Sequence, residues 1–446
     1  MVPGFLMPFS AAMRAYLVAA FLLFNVFAFA RAAPINTNLP ENDAQARGDN
    51  DRDIERVFQM AQLAAALPFW QVRNHAIYLD RNPALFMFVA ELGVRMGATT
   101  PLPLQVLGIV LWNVGLVFCF AWLRRCFGSD VAGAAGIGFL LTTPCLLFFS
   151  ASIHHEPYCF CFFQLAMYCF VRFLEGTDAR RWLIATCAAY FLLCQNYWFY
   201  YVSAYLMFVA LQLKYGKFSV RTSAVLAAVP VVALVTVILQ VGYARGGLGS
   251  GLFRMADILA ARTGDFRIHG SQWHAGQKFV GQKQLHEYPL TVMRRLGATM
   301  GYPAPVLFGM FFLGPALAGR EAWARYRWLL VVLAAGLSWY VLMVQHTVLH
   351  NFVGMYSHFL WTVAAAVLGV EVERRAASWP RWTVIALIGA VAAVGLSRNY
   401  VPYLTRYVRN IAAGKVVDSG RSPSKSKKSK KKNKKDKKKP RDKAST

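Results

Sequence analysis

Charged residues are scarce in this chain, and acidic ones scarcest. Asp and Glu total 21 in 446 residues, and all charged residues make up 15%. Soluble domains carry about a quarter charged residues, so an ordinary water-soluble globule is excluded. Cysteine is sparse too: Cys119, Cys126, Cys145, Cys159, Cys161, Cys169, Cys187 and Cys194 form no C-x-x-C pair. Neither a disulfide framework nor a zinc module is expected from that spacing. Cys159 and Cys161 lie two apart on an expected helix, where such neighbours do not face each other, and the cysteines read as small buried hydrophobes. The apolar runs lack the polar–apolar alternation of a membrane β-barrel. No folded module or set of stacking aromatics accompanies the basic residues, so nucleic acid is not an expected partner.

Hydrophobic residues dominate instead, at 57%. They fall in blocks of about 16–24, close to the ~20 residues an α-helix needs to cross hydrocarbon. Backbone groups in lipid must bond within their own segment, so such blocks read as helices. The first block, 11–33, has Arg14 near its start and is read as a retained anchor. A cleavable signal peptide ending in Ala-Phe-Ala-Arg-Ala-Ala is the competing reading. Further spans are expected at 103–123, 131–150, 156–174, 181–194, 197–213, 222–242, 298–317, 328–345, 355–370 and 382–397. Segment 84–98, broken by Glu91 and Arg95, is expected on the membrane surface. The fold class is thus an all-α polytopic membrane protein of about eleven transmembrane helices with external amphipathic juxtamembrane helices.

The net charge of +27 has two sources. Residues 415–446 carry fifteen Lys and Arg against Asp418, Asp436 and Asp442, and read as a disordered, solvated tail or a contact for anionic lipid. Most of the rest lies in short connections: Arg124–Arg125, Arg172 with Arg180–Arg181, Lys214 to Arg221, Arg320 to Arg327, and Arg374 to Arg381. The positive-inside rule puts these in the cytoplasm. The alternate connections, 34–102, 150–156, 195–197, 243–297 and 346–355, are then external. Eleven spans starting inside would leave the lysine tail outside, against the local charge rule, so the side of the tail stays open.

Nearly all unusual polar groups fall in the external set. Loop 34–82 carries Glu41, Asp43, Asp49, Asp51, Asp53, Glu55 and Asp80. Loop 243–297 carries Arg262, Asp265, Arg267, His269, His274, Lys278, Lys283, His286 and Glu287. Two brief hinges add His154-His155-Glu156-Pro157 and His346 to His350-Asn351. Ionisable residues near membrane depth are functional candidates, so an outward-facing active site is the economical expectation. After Asp53 an amphipathic helix is expected, with Ile54, Val57, Phe58, Ala61 and Ala65 on one face and Glu55, Arg56, Gln59 and Gln62 opposite. Asp53 would sit at its N-cap, where acids are common for structural reasons alone. The pair His154-His155 invites a metal reading. Adjacent helical histidines point about 100° apart, however, so both reach one ion only from a loop, and spacing fixes no third ligand; a metal is the lesser expectation. His346 and His350, four apart, read as a hydrogen-bonded interhelical pair.

Several stretches in order carry a resemblance. They are Asp80-Arg-Asn-Pro83-Ala-Leu, Trp122-Leu-Arg-Arg-Cys-Phe-Gly128, Thr142-Thr-Pro144, Ala151-Ser-Ile-His-His-Glu156-Pro-Tyr, the run 163–176, and His350-Asn351 with Tyr356 nearby. The chain from about 53 to 213, and again from 345 to 371, resembles the GT-C membrane glycosyltransferases. The nearest group is the protein mannosyltransferase-like and lipid A aminoarabinose transferase-like branch (glycosyltransferase family 39-like). The chain departs from that pattern in having only Asn82-Pro83 where a proline pair is usual, and in an ambiguous first-loop acid.

The resemblance implies transfer of a sugar from a polyprenyl-phosphate carrier to a protein, lipid or glycan acceptor at the outer face. A bacterial inner membrane is the favoured setting over the endoplasmic reticulum. It implies a first-loop carboxylate as general base: Asp53, with Glu55 and Asp51 behind it. Glu156, with His155 beside it, would orient the acceptor or the base, and Asp80 belongs to the matching first-loop motif. The lipid phosphate leaving group needs cationic donors, for which Arg267, Lys278, Arg294, Arg295 and His350 with Asn351 are candidates. Headgroup anchoring explains Arg294-Arg295 equally well. No cofactor is required, a divalent metal ion being the one considered. The expected partners are the lipid-linked donor, the acceptor and membrane lipids. A transporter or flippase is the rival, but it would show internal repeats and charges at the bilayer midplane, and neither is evident.

Overall fold

The computed structural model describes residues 15, 18–19, 21–26, 28–29, 57–66, 85–141, 143, 146, 149–176, 178–263, 288–300, 325–343 and 355–376. Among these residues the chain is all helix and turn, with no strand. The labelled helices are α1 (Leu85–Arg95), α2 (Leu102–Phe127), α3 (Asp130–Leu141), α4 (His155–Glu175), α5 (Ala179–Cys194) and α6 (Tyr200–Lys214). They continue with α7 (Val220–Arg245), α8 (Leu248–Thr263), α9 (Tyr288–Met300), α10 (Leu329–Leu342) and α11 (His358–Ala376).

Among the described residues three helices, α2, α4 and α7, are long and apolar enough to cross a membrane, while α3 and α10 are apolar but shorter. The expected spans at 298–317 and 382–397, like the tail, lie outside the described residues, apart from the last turn of α9. Helix α4 is the hub, packed between α2 and α5. Within its apolar window 72% of residues are buried, against 28% for α7. The outer face of α7 shows Val225, Val231, Val232, Val235 and Leu239 exposed. A contiguous apolar surface of that kind suits lipid.

Close helix approach depends on small residues, as in membrane bundles generally. A Cβ on Gly108 of α2 would strike the backbone carbonyl of Ser152, and one on Gly115 would meet the Phe160 ring at 2.5 Å. The basic-aromatic turn after α2 ends at Gly128, whose φ of 65° is left-handed and whose N–H caps Arg124 and Arg125 carbonyls. Only glycine adopts that conformation without steric cost.

In the apolar run 131–150, α3 ends at Leu141, about 18 Å from its start at 1.5 Å per residue, and Leu146 is helical again. Thr143 explains the stop: its hydroxyl and its N–H both return to the Leu140 carbonyl, at 2.7 and 2.9 Å. Pro144 next in sequence has no N–H to extend the ladder.

The first apolar block is helical over 21–26. Phe24 and Ala28 enter the main core, and the Asn25 and Asn113 amides exchange hydrogen bonds at 2.7 and 3.0 Å. The expected amphipathic helix after Asp53 is helical over 57–65. Val57, Phe58 and Ala61 are buried, while Gln59 and Gln62 are exposed. Together with Met60 they join Phe86, Met87, Ala90, Leu104, Ile153 and Tyr158 in a second apolar cluster. In α1, Glu91 is buried and held by Arg95 at 2.7 Å, and Arg95 also donates to the Ala64 carbonyl. The charges that interrupt this segment therefore clip α1 to the preceding helix.

Candidate functional site

Contacts between helix ends sort the described bundle into two ends that differ in chemistry. At one end the basic connections gather. Arg124 pairs with Asp130 at 2.5 Å and Arg125 with Glu175 at 2.9 Å. Ser129 donates to Glu373 at 2.5 Å. Lys214 lies over Phe127 and Trp328, 4.6 and 5.4 Å from the ring centroids. Glu371 accepts from Tyr326 and from Arg374. Burial and the neighbouring Glu371 carboxylate both push the Tyr326 phenol above its usual pKa. These contacts tie helix ends together.

The opposite end holds the candidate site. It is built on the hinge 149–154, the start of α4, the α5–α6 turn, the last turn of α10 and the start of α11. Glu156 is 4% exposed and His155 5%. A buried carboxylate needs partners, and Glu156 has three. His154 Nδ1 lies 3.4 Å and His155 Nε2 3.6 Å from its Oε1, and the Ser152 hydroxyl donates to Oε2 at 3.2 Å. Ser152 itself is fixed by the His154 N–H at 3.1 Å.

An aromatic wall holds the two imidazoles. Phe86, from α1, packs on His154 at 4.7 Å between centroids. Tyr197, from the α5–α6 turn, stacks on His155 at 4.3 Å with the rings 3° from parallel. Tyr197 also stacks on Tyr356 at 4.7 Å, and the Tyr356 hydroxyl meets His155 Nε2 at 3.1 Å. Trp339 of α10 closes the far side, 5.8 Å from Tyr197 and 6.0 Å from Tyr356. The turn is anchored twice: the Leu85 N–H donates to Gln195 O at 3.1 Å, and the Gln195 amide donates to Thr236 of α7 at 2.5 Å.

About two turns further along α4, a polar chain crosses three helices. Trp122 Nε1 donates to Gln164 Oε1 at 2.7 Å. The Gln164 amide nitrogen lies 3.1 Å from His358 Nε2, and His358 Nδ1 lies 3.1 Å from the Met355 carbonyl. With a carbonyl at Nδ1 and an N–H at Nε2, the neutral Nδ1–H tautomer satisfies both contacts. This chain fixes α11, and with it Tyr356, against α4.

Of the residues singled out from the sequence, His155 and Glu156 fall in the described site and share it. Arg294 and Arg295 lie on α9, whose backbone alone is described at those positions. Asp51, Asp53, Glu55, Asp80, Arg267, Lys278, His346, His350 and Asn351 lie outside the described residues. The helix that follows Asp53 nevertheless shares its apolar cluster with Ile153 and Tyr158, which flank the His154–Glu156 hinge. Sequence reasoning passed over Ser152, Tyr197, Gln164 and His358. The polar-aromatic break Gln195-Asn-Tyr197-Trp between two apolar blocks was the available signal for Tyr197.

The structure also removes the objection to His154 and His155 acting together. His154 is the extended N-cap of α4, with φ −80° and ψ −162°, and His155 is the first helical residue. The 100° rule for helical neighbours does not apply across that boundary, and both rings turn a nitrogen toward Glu156. No protein-family model matches this chain, and no curated protein matches it.

Proposed function

We propose that this chain is a multi-spanning membrane glycosyltransferase that moves a sugar from a polyprenyl-phosphate carrier to an acceptor hydroxyl at the non-cytoplasmic face. In this reading about eleven helices span the bilayer, and the basic end of the bundle faces the cytoplasm. The observation that carries it is the buried Glu156, held by His154, His155 and Ser152 at the end opposite the basic connections, beside the helix that follows Asp53. The charge placement in α2, α4 and α7 agrees: Arg124, Arg125, Glu156, Arg172, Glu175, Arg221 and Arg245 all lie near helix ends. A transporter would be expected to carry charge at midplane.

The chemistry follows from the acceptor. A hydroxyl is a poor nucleophile, so its proton passes to a carboxylate as its oxygen attacks the anomeric carbon. Asp53 is assigned that role, with Glu55 and Asp51 as the nearby alternatives. The bond from the anomeric carbon to the phosphate oxygen breaks, and polyprenyl phosphate leaves with its electron pair. Glu156 positions the acceptor, with His155 and Tyr356 fixing the carboxylate. Arg267, Lys278, Arg294, Arg295 and His350 with Asn351 are the candidates for holding the phosphate, where donors in a dry site act most strongly. Asp80 leads into α1, whose first N–H bonds the α5–α6 turn.

The test uses membranes containing the full-length chain and radiolabelled polyprenyl-phosphate sugars of several kinds. The native chain should label an endogenous acceptor with at least one donor, and Asp53→Asn and Glu156→Gln should each lower the rate by 10²-fold or more, the scale of general acid–base catalysis. Unchanged labelling in both variants removes these residues from the reaction. Donor-dependent translocation without labelling assigns the chain to transport.

A further inference from the structure

His154, His155 and Glu156 form more than an ion-paired cluster: we infer that they are the three protein ligands of a divalent transition-metal site, with zinc the best-matched ion. The inference goes beyond the transfer reading and stands whether or not sugar is moved.

Geometry carries it first. One nitrogen of each histidine points at the same carboxylate oxygen, at 3.4 and 3.6 Å, and one ligand atom from each residue lies within 4.8 Å of the others. Tetrahedral donors at Zn–N and Zn–O lengths of ~2.0–2.1 Å lie ~3.3 Å apart, so two of the three separations already match. With every separation at or below 4.8 Å, a point exists within about 2.8 Å of all three donors, so an inward movement of under an ångström reaches bonding distance. His154, 19% exposed where its partners are 6% and 5%, is the ring with room to make it.

The surroundings carry it second. Metal-binding side chains are usually oriented by outer hydrogen bonds, and Glu156 Oε2, the oxygen that does not face the imidazoles, receives one. Ser152 Oγ holds the second carboxylate oxygen, and Tyr197 and Phe86 clamp the imidazole planes. Charge is compatible with it: a buried carboxylate is stabilised by pairing or by metal coordination, and a shared cation supplies the latter. Two nitrogen donors and one oxygen select zinc or a neighbouring transition ion over magnesium, which prefers oxygen alone. Three protein ligands leave one coordination position open, the pattern of a zinc site that takes an exchangeable oxygen donor and not of a closed structural one. Tyr356, whose hydroxyl is 3.1 Å from His155 Nε2, borders that position.

The experiment uses the full-length chain purified in detergent, stripped with a chelator, dialysed and titrated with zinc alone. Bound metal is read by elemental analysis and by competition with a chromogenic chelator. The native chain should bind one equivalent and melt at a higher temperature with zinc than without. Co²⁺ in place of zinc should give the visible absorption of a four-coordinate N/O site. His154→Ala and Glu156→Gln should each weaken zinc binding by more than 100-fold, and Ser152→Ala, which spares all three ligands, by about 10-fold. Equal zinc binding in native and variant chains would place the ion elsewhere and overturn the assignment. So would failure of the native chain to bind zinc or shift its melting temperature, which leaves a hydrogen-bonded His–Glu cluster. None of these readouts depends on sugar transfer, so the two proposals fail separately.

Discussion

The Trp122–Gln164–His358 chain offers a quantitative test of how the site is held. Gln164→Leu keeps the volume of the side chain and removes both of its interhelical contacts. Trp122 Nε1–H then loses its acceptor at 2.7 Å, and His358 Nε2 loses its donor at 3.1 Å. Gln164 is wholly buried, so water cannot substitute. Interhelical hydrogen bonds in membranes contribute ~0.6 kcal/mol on average and up to ~1.7, because the unfolded chain in lipid also finds partners. Two such bonds place the loss at about 1–3 kcal/mol. Most of it should come from the stranded Trp122 and His358 groups and not from the missing amide. Orphaned buried polar groups cost more than a bond that is absent from both sides. Trp122→Phe in the Gln164→Leu background should therefore destabilise less than the two single losses added together, with a coupling of about 0.5–1.5 kcal/mol. The assay is reversible unfolding of the detergent-purified chain in a denaturing-detergent titration. Strict additivity across the cycle would refute the hydrogen-bond chain and reduce Gln164 to a space-filler.

Three further outcomes follow from the packing. Gly108→Ala puts a methyl group into the Ser152 carbonyl, so it should cost about 1–3 kcal/mol and lower transfer, while Gly247→Ala, where a Cβ meets nothing, serves as the control in thermal melts. Tyr356→Phe keeps the stack on Tyr197 but gives up the His155 contact; a loss near ~1 kcal/mol should appear in melts, with a several-fold drop in the transfer rate at unchanged expression. Deleting 417–446 should leave turnover in membranes intact, as for a solvated appendage; a loss of turnover would give the lysines a direct part in the reaction.

How legible the molecule was from its sequence depended on which forces were local. Helices α2, α4 and α7 follow from apolar blocks of bilayer length, and burial in α4 against exposure on α7 adds the packing that length alone does not contain. Within the run 131–150, α3 ends at Leu141 because Thr143 folds back onto the Leu140 carbonyl, a local contact that apolar composition does not reveal. Glu91 and Arg95 were readable as interruptions of an apolar piece, but their partner Ala64, 31 residues from Arg95, was not. At the site, His155 and Glu156 stood out as polar residues at the start of an apolar block. Tyr197, Gln164 and His358 did not, because aromatic and amide groups within apolar runs become polar anchors only when three distant helices meet. The shared contact of His154 and His155 with Glu156 was not legible because it depends on His154 standing just outside the helix while His155 is its first residue.

The most direct measurement is a cryo-EM structure of the full chain in nanodiscs with a bound, non-hydrolysable polyprenyl-phosphate-sugar analogue. The account predicts the sugar at the end of the bundle where Glu156, His155, Tyr197 and Tyr356 converge, with the phosphate beside cationic groups at that same end. A headgroup bound at the opposite end, among Arg125, Lys214 and Arg374, would contradict it.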